Sequence, residues 1–157
     1  MVNTVGKDIS EVLISYTAGF LDADGAIMAP IEKNQEKRFK LRARIVVRLT
    51  QRDCEILLYL KNQFNIGRVV LNGTAYDWII RDQKDVKWFL ELLNPFILVK
   101  KKQALIALQI LVLPKDTKKD LIRIANLSDS LSSYNVRSKL KRHKYSLMVQ
   151  EIFSRND

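Results

Sequence analysis

A nine-residue stretch, Thr17-Ala18-Gly19-Phe20-Leu21-Asp22-Ala23-Asp24-Gly25, constrains this chain more than any other part of it. It reads as the last turns of a helix. Asp8 or Ser10 can cap the start, and Glu11 lies in the first turn, where acid complements the macrodipole. Gly25 is expected to close the helix in the left-handed conformation. Helical spacing puts Ser15, Ala18, Gly19 and Asp22 on one face. The first three are small, so another helix backbone can approach closely there. Leu13, Tyr16 and Phe20 are expected on the core side. The end of this helix is electrostatically odd. Cations are favoured at a helix C-terminus, yet the chain places Asp22 and Asp24 there. Either the helix stops at a plain Asp-Gly turn, or a cation binds. Oxygen ligands of this kind suit Mg²⁺ or Ca²⁺.

Downstream, the apolar period changes from 3.6 to 2. Residues 26–32 predict a strand with Ile27, Ala29 and Ile31 inward, and Pro30 marks an edge or a bulge. Residues 39–50 predict the clearest strand. Leu41, Ala43, Ile45, Val47 and Leu49 form its apolar face; Lys40, Arg42, Arg44 and Arg48 share the other face with Val46 and Thr50. Like charges in a row repel, so such a stripe suits a polyanion. A strand ribbon fits the DNA major groove, where arginine reads guanine through paired hydrogen bonds.

Asp53 can cap a helix running to Phe64. A hairpin follows, residues 68–71 and 74–81 around Asn72-Gly73. Its outward residues, including Arg68, Asn72, Asp77 and Arg81, share the face of the arginine stripe. Further helices are expected over 86–93, 100–112, 117–131 and 145–153. Lys100-Lys101-Lys102 opens the second of these against the helix dipole, which suggests another job for one of the lysines. Residues 135–144 carry Arg137, Lys139, Lys141, Arg142 and Lys144 with no acid, the pattern of a phosphate-gripping loop.

The expected architecture is α+β: an αββαββα core with a four-stranded, saddle-like antiparallel sheet. Helices cover one face, the other is basic, and C-terminal helices are added. One domain, residues 1–157, is expected, with a helical extension over about 115–157. The net charge of +10 points to nucleic acid first and an acidic membrane surface second. No apolar run reaches membrane-spanning length, and no membrane role is expected. The single cysteine, Cys54, allows no intrachain disulfide, in keeping with an intracellular location. The lone histidine, His143, disfavours nucleases built on histidine clusters. There is no zinc-ligand spacing and no Gly-Lys-Ser or Gly-Lys-Thr phosphate loop.

The stretch at 17–25 resembles the signature of the LAGLIDADG homing endonucleases. Ala18, Gly19, Asp22, Ala23, Asp24 and Gly25 match it, while Thr17, Phe20 and Leu21 vary at tolerant apolar positions. The order of elements extends the resemblance over nearly the whole chain, to the branch that carries one motif per chain and works as a homodimer. The resemblance implies metal-dependent cleavage of double-stranded DNA at a long, near-palindromic site, leaving 3′ overhangs. It implies Mg²⁺, with Ca²⁺ or Mn²⁺ able to occupy the site, held by the Asp24 carboxylate and the Ala23 carbonyl. Asp22 then serves the helix end, and Gln51 and Lys100 surround the attacking water. The family's basic residue one turn past the glutamine is here Glu55, a departure for which Arg52 could substitute. The implied dimer seam is Ser15, Ala18, Gly19 and Asp22. The implied DNA contacts are Lys40, Arg42, Arg44, Arg48, Arg68, Asn72, Asp77 and Arg81, with Arg137, Lys139, Lys141 and Arg142 from the basic loop. The implied location is a prokaryotic cytoplasm or an organelle matrix. The same fold leaves open two rivals, an intron RNA maturase and a DNA-binding regulator that does not cut.

Overall fold

Helix α1, Glu11–Asp24, passes into strand β1, Gly25–Met28, without a connecting residue. The computed structural model in which this is seen describes residues 8–135 and 144–155. Ser10 caps α1, accepting a hydrogen bond from the Leu13 amide at 3.2 Å. Gly25 is extended rather than left-handed, at φ −100° and ψ 167°. Its lack of a side chain serves a close approach. A Cβ there would lie 2.4 Å from Leu21 Cδ1 and 2.7 Å from the Leu21 carbonyl oxygen. The strand can therefore start directly under the last helical turn.

Each of the two long strands read from the sequence is split. The first divides at Ala29–Pro30 into β1 and β2, Ile31–Lys33. The second divides at Arg44–Ile45 into β3, Leu41–Ala43, and β4, Val46–Gln51. Strands β2 and β3 pair as a separate ribbon. The inward alternation survives both breaks: Ile27, Ala29, Ile31, Leu41, Ala43, Ile45, Val47 and Leu49 are all buried. At the second break, Gln83 stands in for a neighbouring strand. Its amide accepts from the Ile45 N–H at 2.8 Å and donates to the Ile45 carbonyl at 2.9 Å.

Helix α2, Cys54–Phe64, is capped by Asp53 and ends on left-handed Asn65. Strands β5, Arg68–Asn72, and β6, Ala75–Ile80, form the hairpin. Its two-residue loop is Gly73-Thr74, because Asn72 and Ala75 are paired. Gly73 supplies the positive φ of +62°. The main sheet is antiparallel in the order β1-β4-β6-β5, the expected four-stranded sheet.

Helices α3, Gln83–Leu93, α4, Lys101–Val112, α5, Lys118–Asn135, and α6, Tyr145–Ser154, complete the described chain. The core lies between one sheet face and the helices. Trp78 and Phe89 are fully buried and pack edge to face at 5.4 Å. Burying each such ring is worth about 1.5–3 kcal/mol. The Trp78 indole N–H donates to the Ile66 carbonyl at 3.0 Å, so its burial leaves no orphan donor. Tyr16 departs from its expected core place and is 53% exposed, while Leu13 and Phe20 are half-buried.

Candidate nucleic-acid interface and metal centre

The acid at the end of α1 has two separate uses. The Asp22 carboxylate accepts backbone N–H bonds from Leu98 at 2.8 Å, Val99 at 3.0 Å and Lys100 at 2.9 Å. These are unpaired donors at the start of α4, whose own first residues supply no side-chain cap. Burial works to raise this carboxyl, but the three N–H donors and the Lys100 charge outweigh it and hold Asp22 below the usual carboxylate range. The Lys100 ammonium in turn donates to the Asp22 carbonyl at the end of α1. Lys101 does the same for the Asn94 carbonyl at the end of α3. Two lysines that oppose their own helix's dipole therefore serve the C-termini of two others. Asp22 is thus engaged within its own chain.

Asp24 is left exposed, and among the described residues nothing bonds to its carboxylate. Gly25 N–H and Lys100 take the Leu21 and Asp22 carbonyls. The Ala23 carbonyl follows in the same turn, where helical carbonyls lack intrahelical partners. Gly25 pairs with Leu49, and Gln51 lies two residues further along β4. Asp24, Gln51 and Lys100 are thus gathered at one end of the sheet. The Gln51 side-chain oxygen accepts from Arg52 N–H at 2.9 Å. Glu55 is exposed in the first turn of α2, where acid suits the dipole.

The donor set fits a hard divalent cation. It offers one free carboxylate and one neighbouring carbonyl, both oxygen. Among the described residues no three His, Cys, Asp or Glu side chains converge on a metal position. The remaining ligands would have to be water and phosphate oxygens, which is how Mg²⁺ is usually bound.

The open face of the sheet differs from the arginine stripe read from the sequence. Register places Ala26, Arg48, Ile79 and Arg68 in one row, with Thr50, Asp77 and Val70 in the next. Arg48 and Arg68 stand on this face of the four-stranded sheet, whereas Lys40, Arg42 and Arg44 lie beyond its end. Lys40 lies in a turn at φ +54°, and Arg42 sits on the β2–β3 ribbon. Arg44 falls at the strand break and pairs with Glu32 at 2.6 Å. The register nevertheless runs on across the break, Met28 opposite Val46 and Ile31 opposite Ala43, so Arg42 keeps the side opposite the buried residues. Arg81 is exposed just beyond β6.

Asp77 is the buried centre of the open face, 2% exposed. It accepts from the Thr50 hydroxyl at 2.5 Å and the Asn72 amide at 2.8 Å, and lies 3.8 Å from an Arg48 nitrogen. Asp77 itself therefore orients the residues around it. The loop residues Arg137, Lys139, Lys141, Arg142 and His143 lie outside the described residues.

Helix α1 also carries an exposed stripe: Val12, Ser15, Tyr16, Gly19 and Ala23. Ser15 and Gly19 belong to it as expected. Ala18 does not, because it is fully buried in its own core. A Cβ on Gly19 would meet nothing within 4 Å. Leu98 and Val99, which adjoin the end of the same helix through Asp22, are 81% and 75% exposed. Sequence reasoning missed this pair; two apolar residues directly before the lysine cluster were the available signal.

Residues 17–110 match the family model described as LAGLIDADG endonuclease. The chain belongs to the LAGLIDADG endonuclease family. It is 32% identical over 125 residues to the DNA endonuclease I-CreI of Chlamydomonas reinhardtii, covering 76% of this chain and 77% of that protein. Among solved structures, it resembles the homing endonuclease I-CvuI, crystallised with a DNA target and Mg with the DNA not cleaved. The TM-score is 0.82 at 25% identity, over 92% of this chain and 94% of that one. The archaeal intron-encoded homing endonuclease I-Vdi141I, complexed with DNA, shares the fold at TM-score 0.76 and 20% identity, over 90% and 96% of the two chains. The LAGLIDADG motif here is the α1–β1 junction, and its two acids are Asp22 and Asp24. Among the described residues no helix is long and apolar enough to cross a membrane.

Proposed function

We propose that this LAGLIDADG protein is a site-specific endonuclease that cuts double-stranded DNA as a homodimer. The observation that carries the reading is the free Asp24 carboxylate at the end of α1, level with the edge of an open sheet face bearing Arg48 and Arg68. Asp24 and the Ala23 carbonyl would hold a divalent ion, Mg²⁺ in the first instance. When bound, such an ion supplies an activated water and stabilises charge on the phosphate and the leaving oxygen. Gln51 orients solvent at the same end of the sheet. Lys100 keeps positive charge beside the end of α1, where a phosphate reaching Asp24 gains negative charge. Asp22 holds Lys100 and the start of α4 in place.

One Asp24 serves one strand, so two copies related by a two-fold axis are needed for both. The exposed stripe of α1 and the apolar Leu98–Val99 pair give the second copy a surface. A seam there brings the two Asp24 carboxylates to the centre of a near-palindromic site. Cleavage across the minor groove with 3′ overhangs is the expected product. The register puts no aromatic residue on the open face among the described residues, which favours duplex over single-stranded RNA. An intracellular location, in a prokaryotic cytoplasm or an organelle matrix, accompanies this reading.

The test is to select a bound duplex from a randomised pool and then assay cutting in Mg²⁺ or Mn²⁺, with Ca²⁺ for binding alone. Metal-dependent double-strand cleavage of the selected site by a dimer, leaving 3′ ends, supports the proposal. Tight binding of a selected site that is never cut in either metal leaves a DNA-binding regulator instead.

A further inference from the structure

The β2–β3 ribbon continues the sheet but has lost a neighbour. Its register runs on from the β1–β4 pair, and the count between Met28↔Val46 and Ile31↔Ala43 sets Pro30 against Arg44. One ladder bond survives at that pair, from the Arg44 N–H to the Pro30 carbonyl at 3.3 Å. Proline has no N–H to return. On the other side, β6 drops out. Its last paired residue is Ile80, opposite Val47. Two steps further the register would set Asp82 against Ile45, but Asp82 already caps α3. Gln83 fills the gap. Its side-chain oxygen accepts from the Ile45 N–H at 2.8 Å, and its nitrogen donates to the Ile45 carbonyl at 2.9 Å and to the Arg81 carbonyl at 2.8 Å. A primary amide carries both the donor and the acceptor of a peptide unit, so one side chain replaces a residue of a strand. Past Ile45 the ribbon is two strands, an arrangement that is marginal on its own. Side chains hold it further out: Lys115 reaches the Ala43 carbonyl at 3.4 Å, and the Phe39 ring meets the Phe153 ring of α6 edge to face at 5.8 Å.

We infer that Gln83 is a positioning residue for sequence recognition: it fixes the angle at which the ribbon leaves the sheet, and with it the base preference in the outer part of each half-site. This rests on the DNA-binding part of the proposed function, and Gln83 lies away from the metal end of the sheet. Gln83 is half-buried at the start of α3 and acts through the Ile45 backbone. By strand parity Arg42 and Arg44 share the side of Arg48, opposite the buried Ala43, Ile45 and Val47. Ile45 lies six residues before Gln51. At roughly 3.3 Å per strand residue that is about 20 Å, or about six base pairs at roughly 3.4 Å each. Base pairs nearer the centre face β4 where β1 and β6 hold it on both sides. Base pairs further out face the ribbon. A tilt of about 10° at Ile45 moves Leu41, four residues out, by about 2 Å at roughly 3.3 Å per residue. A base-edge hydrogen bond does not tolerate such a shift.

The experiment uses the full chain in Ca²⁺, a duplex selected by wild type, and single base-pair substitutions along its half-site. Two variants are compared. Q83M keeps the length and removes both polar groups; Q83E keeps the acceptor but turns a carboxylate toward the Ile45 and Arg81 carbonyls. Wild type should lose about fivefold or more in affinity at substituted positions in both the inner and the outer part. Both variants should keep the inner losses and show about twofold or less beyond about the sixth base pair from the centre. Amide exchange in both should quicken at Ile45 and across Leu41–Ala43, and stay as in wild type at Trp78. A residue that served only stability would weaken binding to every duplex alike and leave the pattern of losses unchanged, and that result overturns the assignment. So do wild-type losses confined to inner positions, outer losses kept in either variant, or global unfolding of both variants by circular dichroism. Wild type that binds duplex but never cuts removes the endonuclease reading and leaves this one intact. Wild type that binds no duplex overturns both.

Discussion

Asp22 and Lys100 hold each other twice: the Asp22 carboxylate accepts from the Lys100 backbone N–H at 2.9 Å, and the Lys100 ammonium donates to the Asp22 carbonyl. The pair ties the end of α1 to the start of α4. Asp22→Ala leaves the amides of Leu98, Val99 and Lys100 without their acceptor. Loss of a helix cap costs about 0.5–2 kcal/mol, and a thermal melt should show a lower Tm. The sign with pH follows from the depressed Asp22 pKa. Its contribution is fully present above about pH 4, the unfolded carboxylate value. It is lost as pH falls through the lower folded value. In acid, the gap between wild type and variant should therefore close; a gap independent of pH would contradict the assignment.

Asp24→Asn tests the metal end. The substitution keeps size and hydrogen-bonding capacity but removes the charge that would hold a cation. Affinity in Ca²⁺ should survive, because binding rests on phosphate and groove contacts elsewhere. Cleavage in Mg²⁺ should fall by orders of magnitude. A mutant that cuts supercoiled plasmid near the wild-type rate would sink the assignment.

Gly19 offers a clean probe of the seam. With nothing within 4 Å of a Cβ there, Gly19→Leu fits the single chain. It should raise intrinsic helix stability by about 0.5–1 kcal/mol. The added side chain would block a close helix–helix approach. Sedimentation should show dimer for wild type and monomer for the variant, with the fold intact by circular dichroism. A variant that still dimerises would put the seam elsewhere.

Asp77 organises the reading face. Asp77→Ala strands the Thr50 hydroxyl, the Asn72 amide and Arg48, at a cost of about 1–3 kcal/mol for the lost buried acceptor. Base preference should loosen at the positions that Arg48 and Asn72 face, measured by selection from a randomised half-site. Loss of affinity spread evenly over every position would show that Asp77 supports only the fold.

Glu55→Arg places a cation one turn past Gln51. Cutting of a bound target at limiting Mg²⁺ should rise, against a small loss of helix stability of about 0.3–1 kcal/mol from charge reversal at an N-terminus. An unchanged or lower rate would mean that Glu55 plays no part near the phosphate.

The sequence by itself determined the elements and the motif. Local signals were enough for that: Asp53 before α2, the alternation through Leu41 to Leu49, and the parity of the hairpin that puts Trp78 in the core and Asp77 on the opposite face of the sheet. The acid at the end of α1 was visible as an anomaly because dipole and charge disagree within one turn.

Only the tertiary structure decided where that alternation stops serving one sheet. The break at Arg44–Ile45 is stabilised by Gln83, which lies 38 residues away from Ile45 along the chain. Lys40, Arg42 and Arg44 keep their period but fall outside the four-stranded sheet, and no local rule could show it. The helix starts behaved likewise. Neither α4 nor α6 has a side-chain cap from its own N-cap residue, Lys100 or Lys144. Asp22 caps the first, and Asp129, bonding to Tyr145 and Ser146, caps the second. A cap given by a distant carboxylate has no sequence period and no fixed spacing. It exists because packing brings an acid within hydrogen-bond reach of N–H groups that must be satisfied.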